Sequence, residues 1–490
     1  MLKLKYSSFS FYLVLRKFEL TCARCSFKTS GIPFVKFNRY CPRCSSPLTI
    51  VYDYDALTAD KAKLFSRACG LWKYEKLLPC HSSRAVTLGE GNTTQLKCSR
   101  LSEVCGLNEL YIKDETKNPT GSFLDRGASV LTTCLLELGF QGVYGAFKGN
   151  LGASLAAYSA KAGLRCYVLL KERVDVGKLY QMIAYGAFVK PANKLNLEEV
   201  NGLYLSDNAD PFLLEGEKTI GFEIVEYFNW QVPDVIAVPI GSGCLITAIW
   251  KSLRELEALG LVKNVDTRLI GVQPEACAPI VDEKLCLEDK EVVESVAVDL
   301  VFQRPERGFE ALKAIKESSG CAVKISDEEM LDASRLLAKT EGVFAEPAAA
   351  STLAGVKRLV EEGVIDRDER VVLVITGSGL KEPSILAKEI EKHVEIERLV
   401  RGEGKARLNI RRGKLEILRV LRGRKLHGYG IWKELKRKGL DVSMPAVYQH
   451  LNELRKLGLI AEVEKIQVNG RLRTCYSLTD RGLSLLKALG

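Results

Sequence analysis

Asn118-Pro119-Thr120-Gly121-Ser122-Phe123-Leu124-Asp125-Arg126-Gly127 sits inside a long segment, Tyr52 to about Leu386, in which strand-like and helix-like runs alternate. That alternation is the pattern of a doubly wound α/β fold. Val143 to Ala146 reads as a strand, and after a glycine-containing turn Leu151 to Ala162 has helical apolar spacing. The unit recurs as Val235–Pro239, then Gly241-Ser242-Gly243, then Leu245–Leu253, and again as Val371–Ile375 followed by Thr376-Gly377-Ser378-Gly379. In such folds ligands sit at the loops beyond the carboxyl ends of the strands.

Around the opening stretch, further motifs follow in order: Leu88-Gly89-Glu90-Gly91-Asn92-Thr93, Leu110 to Glu115, Gly177-Lys178-Leu179 with Gln181-Met182, Tyr185-Gly186-Ala187, Glu346-Pro347-Ala348 and Thr376 to Lys381. Together they resemble the threonine synthases, pyridoxal-phosphate (PLP) enzymes of fold type II, over roughly residues 18 to 390. The resemblance implies a PLP fold type II body of two open α/β subdomains. Asn118 to Gly127 is similar to the family's N-P-T-G-S-F-K-D-R-G signature, with Leu124 where the family carries its Schiff-base lysine. Chemistry of that kind needs a lysine amine to hold the aldehyde and move protons, and leucine can do neither.

By the same resemblance, Gly241-Ser242-Gly243-Cys244-Leu245 corresponds to the G-x-G-G-L loop whose amides and following helix N-terminus receive the cofactor phosphate. Cys244 replaces its last glycine. Asn150 matches the asparagine that bonds the ring hydroxyl, and Thr376 the hydroxyl facing the pyridine nitrogen. The reacting side differs: Ala146-Phe147-Lys148-Gly149-Asn150 stands where the family reads A-S-S-G-N, so both hydroxyl positions that hold the substrate carboxylate have changed. Three readings compete. The body is a pseudoenzyme binding PLP or a small amino-acid-related ligand non-covalently; or Lys148 is a relocated catalytic lysine rather than a loop cation; or a working threonine synthase persists without the usual amine.

Cys22-x2-Cys25 and Cys41-x2-Cys44 have the spacing of a four-cysteine zinc ribbon, which would tie together a segment too short for its own core. The remaining cysteines are scattered singly, as buried small hydrophobes of a reducing compartment. No run reaches the apolar length of a membrane span and no cleavage site follows the first apolar residues, so a cytoplasmic protein with no membrane partner is expected.

Charge divides the chain. Arg401 to Gly490 holds 21 Lys plus Arg against 8 Asp plus Glu, a net of +13, whereas the whole chain carries +10 and the first 400 residues therefore −3. A basic appendage on a near-neutral body points to nucleic acid. Within it, Arg412–Leu421 and Tyr429–Lys438 read as helices. Ser443 reads as an N-cap with Pro445 in the first turn of a third helix, whose buried stripe is Val447, Leu451, Leu454 and Leu457.

The opposite face of that third helix, Met444, Ala446, Tyr448, Gln449 and Asn452, has groove-facing residue types. Asn469-Gly470 closes a hairpin bearing Lys465, Arg471 and Arg473, and a short helix begins at Thr479. The order is that of a winged helix-turn-helix. His427-Gly428-Tyr429-Gly430-Ile431, Ser443 to Leu451, Leu457 to Ile460 and Tyr476 to Thr479 resemble PadR-type regulators, which implies double-stranded DNA as a partner. A protein-docking winged helix is the alternative.

The expected domains are an extension at 1–17, the zinc ribbon at 18–56, the threonine-synthase-like body at 57–392, a linker at 393–408 and the winged helix at 409–490. The expected function is a transcriptional regulator, acting as a homodimer, whose body senses a small-molecule ligand.

Overall fold

The computed structural model describes residues 16–30, 38–58, 65, 68–170, 174–285, 293–383, 412–440, 442–468 and 471–488. Most of the expected extension, the whole expected linker and the hairpin turn at 469–470 lie outside the described residues. Two compact units divide between Lys388 and Glu389.

The first unit begins with β1 (Glu19–Cys22), β2 (Lys28–Ser30) and β3 (Leu48–Val51), an antiparallel sheet in the order β2-β1-β3. Each cysteine knuckle ends on a serine with left-handed backbone, Ser26 and Ser45, both at φ 57°. The turns match: Ser26 N donates to Cys22 O at 3.0 Å and Ser45 N to Cys41 O at 2.9 Å. Read from sequence, the ribbon is a separate module held by metal, but Leu20, Leu48, Ile50 and Tyr52 belong to the same hydrophobic core as Ala128, Leu131 and Phe212 of the body. The boundary expected after residue 56 falls inside the helix Tyr54–Thr58.

In the body, β4 (Gln95–Lys97) pairs antiparallel with β5 (Glu109–Asp114). Next come β6 (Gly142–Gly145), β7 (Arg165–Leu170), β8 (Phe188–Pro191) and β9 (Tyr204–Leu205), a parallel sheet in the order β8-β7-β6-β9. Finally β10 (Val235–Pro239), β11 (Arg268–Pro274), β12 (Cys321–Ile325) and β13 (Arg370–Ile375) join β5 and β4 in a six-stranded sheet, β12-β11-β10-β13-β5-β4. Every residue of β10 is buried, which is why it reads as an unbroken apolar run. These two sheets are the two open α/β subdomains of the expected fold class.

The signature stretch joins β5 to the helix Leu124–Leu138. Asp125 closes its turn by accepting from Thr120 N and Thr120 Oγ1, both at 2.7 Å. Arg126, fully buried, is forked onto Glu115 at 2.7 and 2.8 Å and onto Glu223 at 2.7 Å from each terminal nitrogen. An ionic arrangement this satisfied holds one backbone geometry, because losing a partner would leave a buried charge unpaired. Phe123 N donates to Thr376 O at 2.9 Å and Ser378 N to Gly121 O at 2.9 Å, so the stretch is sewn to the loop after β13.

The second unit contains helices Arg412–Val420, Gly428–Arg437 and Met444–Lys456. They pack with β14 (Leu426–His427), β15 (Ile460–Val468), β16 (Arg471–Leu478) and the helix Asp480–Ala488. The sheet order is β14-β16-β15, and β14 was not anticipated. Its core is Ile417, Leu418, Leu421, Ile431, Leu435, Val447, Leu451, Leu454 and Leu459. Two expectations are corrected. Leu457 is 39% exposed, because the helix has ended and the buried place passes to Leu459. Ser443 occupies the N-cap position with extended backbone, yet its side chain makes no capping hydrogen bond.

Candidate functional site: a cleft at the strand ends, a thiolate cluster and a basic wing

The loops after β6, β10 and β13 and the start of the helix Leu124–Leu138 line one cleft. Its walls include Leu124, Lys148, Asn150, Glu217, the run Gly241–Leu245, Asp299, Phe302, Glu346 and Thr376. The cleft brings together Leu124, Lys148, Asn150, Gly241–Leu245 and Thr376, the body residues expected from sequence around the ligand.

The Gly241–Cys244 run is a close-fitting cradle. A Cβ on Gly241 would lie 2.8 Å from Asp299 O, and one on Gly243 would lie 2.7 Å from Arg307 O, with Gly243 at φ 89°. Gly243 at the N-cap of the helix Cys244–Ala258 offers no capping side chain, but Cys244 N donates to Ser242 Oγ at 3.4 Å, so the amides of Leu245 and Ile246 are the ones that could meet a ligand anion such as a phosphate. Cys244 turns its thiol away, donating to Asn208 O at 2.7 Å. One neighbour opposes an anion: Glu217 is 1% exposed, one of its oxygens has no hydrogen-bond partner among the described residues, and burial pushes its carboxyl up to about 8, partly offset by the Arg307 guanidinium. As a neutral acid it is compatible with the cradle.

Leu124 is the first residue of its helix and presents a half-buried aliphatic side chain to the cleft. Lys148 ends in the same cleft. Its ammonium donates to Val301 O at 2.5 Å and lies 4.1 Å from the centre of the Phe302 ring.

Asn150 Nδ2 donates to Asp299 Oδ2 at 2.7 Å and to Glu346 at 3.0 and 3.1 Å, while its buried Oδ1 has no partner among the described residues and could accept from a ligand. Beneath it Lys178, 2% exposed, reaches Asp299 at 2.5 Å, Glu382 at 2.6 Å and Glu346 at 3.6 Å. Burial works against that ammonium, but the three carboxylates hold it well above the ordinary lysine value. Lys381 has no such partner among the described residues, and burial brings it down to about 8 despite Asp125 and Glu346. Lys178, Glu346 and Lys381 were legible as motif residues; Glu217, Asp299 and Phe302 carried no sequence signal.

In the ribbon, Cys22 Sγ and Cys44 Sγ are 3.4 Å apart, Cys25 Sγ and Cys41 Sγ 3.4 Å, and Cys25 Sγ and Cys44 Sγ 3.6 Å. All four lie within 4.8 Å of one another. Tetrahedral thiolates about 2.3 Å from one zinc ion would be about 3.8 Å apart, so the cluster fits that ion.

On the helix Met444–Lys456 the expected outer face is outside: Met444 is 37% and Tyr448 45% exposed, and Gln449 and Asn452 are exposed. Tyr448 is partly committed, since a Cβ on Gly428 would lie 2.7 Å from its ring. Gln449 donates to Glu453 at 3.1 Å and Asn452 accepts from Arg455 at 3.2 Å. In the wing, Lys465 is exposed and the Arg473 guanidinium lies 4.9 Å from the centre of the Tyr429 ring. The Arg471 side chain lies outside the described residues. Among the described residues no helix is long and apolar enough to cross a membrane.

Comparison with known proteins follows the same division. Residues 86–377 match the pyridoxal-phosphate dependent enzyme family, and residues 417–488 match the transcriptional regulator PadR-like family. The threonine synthase of Methanocaldococcus jannaschii is 42% identical over 377 residues, covering 73% of this chain and 92% of that protein. The threonine synthase of Methanosarcina acetivorans is 39% identical over 390 residues, 76% of this chain and 95% of that protein. An L-serine ammonia-lyase from Rhizomucor miehei superposes with a TM-score of 0.52 at 18% identity, covering 61% of this chain and 98% of the other. Maize serine racemase does so with a TM-score of 0.52 at 18% identity, over 61% and 93%. At that identity the structural matches speak to fold alone.

Proposed function

Since the chain belongs to the pyridoxal-phosphate dependent enzyme family and ends in a PadR-like domain, we propose that it is a DNA-binding regulator whose body senses PLP or a small amino-acid-related ligand without covalent attachment. The observation supporting this reading is Leu124: its aliphatic side chain lines the same cleft as Gly241–Leu245, Asn150 and Thr376, at the position where, by the resemblance, the family carries the amine. PLP supplies an electron sink to a substrate amine when bound in such a cleft. Here the chain's own residues bind and orient. The amides of Leu245 and Ile246 take an anion, Asn150 Oδ1 accepts from a ring hydroxyl or an amine, and Thr376 lines the same cleft.

The wing and the outer face of the helix Met444–Lys456 then supply phosphate and base contacts. Lys465, Arg471 and Arg473 position the duplex, while Met444, Tyr448, Gln449 and Asn452 read it. A homodimer is part of this reading, because paired half-sites call for two recognition helices. So is a structural zinc ion on Cys22, Cys25, Cys41 and Cys44. A cytoplasmic location accords with the reduced cysteines and a DNA partner.

A second reading is favoured by one observation, the Lys148 ammonium in the same cleft as Leu124. On it the chain is an active threonine synthase, converting O-phosphohomoserine and water to threonine and phosphate. Borohydride treatment of the purified chain with PLP, followed by peptide mass mapping, separates the two. The regulator reading expects reversible binding with no lysine adduct, and salt-sensitive binding to DNA that changes when PLP is added. An adduct mapped to Lys148 would overturn it in favour of the enzyme.

A further inference from the structure

The cysteine ribbon and the glycine cradle meet at a single residue, Arg307, whose side chain makes two hydrogen bonds to the ribbon and whose main chain makes one hydrogen bond and one close contact to the cradle. Arg307 is fully buried. One face of its guanidinium belongs to the ribbon: Nη1 donates to Thr49 Oγ1 at 3.1 Å and Nη2 to Leu48 O at 2.8 Å, both in β3. Leu48 is the register partner of Cys22 across β1 and lies four residues beyond Cys44, so its carbonyl is set by the cysteine cluster. The same Nη2 donates to Ala209 O at 2.7 Å, next to Asn208, whose carbonyl receives the Cys244 thiol at 2.7 Å.

The main chain of Arg307 forms the floor of the cradle. Its N–H donates to Ser242 O at 2.9 Å, and its carbonyl lies close enough to Gly243 that a Cβ there would approach to 2.7 Å. The ribbon grips the intervening segment as well, with Arg39 Nη2 on Asp207 at 3.0 Å and Tyr40 Oη donating to Asp207 at 2.9 Å. Among the described residues Nε of this buried guanidinium already lacks a partner, and a shift would unpair Nη1 and Nη2 as well, so a displaced β3 must move Arg307 or strand it.

We propose that Arg307 is a positioning residue through which metal occupancy of the four-cysteine ribbon sets the geometry of Gly241–Cys244, and hence the affinity of the cleft for a phosphate-bearing ligand. This rests on the reading of that loop as a phosphate cradle. The ribbon is thereby a working part of the ligand site rather than a remote appendage. Loss of the ion loosens β3, frees Arg307 and blurs the amides at the start of the helix Cys244–Ala258.

The test uses the full chain, zinc-loaded and after metal removal by chelation, with PLP and inorganic phosphate as probes. Hydrogen exchange is followed at 19–22 and 48–51, at 241–245, and at β11 as an internal control. Expected are faster exchange in both the ribbon and 241–245 with β11 unchanged, and roughly tenfold weaker binding of PLP, the loss that follows when a charge-assisted hydrogen bond to phosphate is misplaced. Zinc added back restores both. Arg307→Met in the zinc-loaded chain gives the same loop signature with the ribbon still protected. Should that variant not fold, Thr49→Val, which removes only the Nη1 contact, is expected to weaken PLP binding about two- to threefold, because one guanidinium hydrogen bond is lost while both Nη2 bonds remain. A ribbon that opens while 241–245 and PLP affinity stay unchanged overturns the coupling, as does a ribbon that keeps its protection without metal. Failure of the zinc-loaded chain to bind either probe overturns the cradle reading and the proposal with it, whereas unchanged exchange alongside intact binding overturns the coupling alone.

Discussion

Replacing Glu217 by glutamine should stabilise the body at neutral pH and leave it nearly unaffected in acid. Glu217 is 1% exposed, one of its oxygens lacks a hydrogen-bond partner among the described residues, and burial lifts its carboxyl from an ordinary 4.5 to about 8. A carboxyl raised on folding adds stability that is complete below its unfolded value and is lost as the pH climbs through the folded one. At about 1.36 kcal/mol per pH unit the full loss is about 5 kcal/mol. By the same linkage about 3 kcal/mol has gone at pH 7, and about 2.5 kcal/mol of that disappears between about pH 5 and about pH 7.

Glutamine keeps the shape and carries no titrating proton. Urea unfolding followed by the emission of Trp72 and Trp250, both buried in the body, should therefore show the variant gaining about 2.5 kcal/mol on the wild type over that interval. A constant offset between the two proteins at both pH values would refute the reasoning, because it would mean that Glu217 is ionised in the folded state. The same protonation bears on the ligand. A phosphate at Gly241–Cys244 should bind more weakly as the pH rises through about 8 in the wild type and without that dependence in Glu217→Gln, read by titration with PLP.

Leu124→Lys should restore an amine at the head of its helix and produce a borohydride-fixed PLP adduct at residue 124 that the wild type does not form, read by peptide mass mapping. Lys465→Ala and Arg473→Ala should each weaken binding to all duplexes alike and lower the slope of log affinity against log salt by about 0.9, whereas Gln449→Ala should change preference among sequences. Cys41→Ser should lower the stability of the body measurably, since the ribbon shares its core, and the effect should be mimicked by chelation and absent from the winged helix.

Much of the architecture was legible because it rests on local periodicity. The strands Val235–Pro239 and Arg370–Ile375 and the helices Gly149–Ala162 and Met444–Lys456 were foreseen within a few residues. Leu457 was misplaced because helical spacing continues past the residue at which the chain turns. The strand Leu426–His427 was missed because two residues carry no period, and only pairing with Cys475 and Tyr476 makes them a strand.

The sequence by itself determined the order of parts, the four thiols, the basic excess after residue 400 and the leucine at position 124. Those are properties of residue type and spacing, and they survive any folding. Only the tertiary structure decided that Lys148 enters the cleft with Leu124, that Lys178 draws Asp299, Glu346 and Glu382 together across more than 200 residues of chain, and that Arg307 ties the ribbon to the glycine loop. No pattern announces such contacts. A buried charge acquires its partners from whatever the packed sheets bring within hydrogen-bond reach, and that is settled by topology rather than by neighbours in sequence.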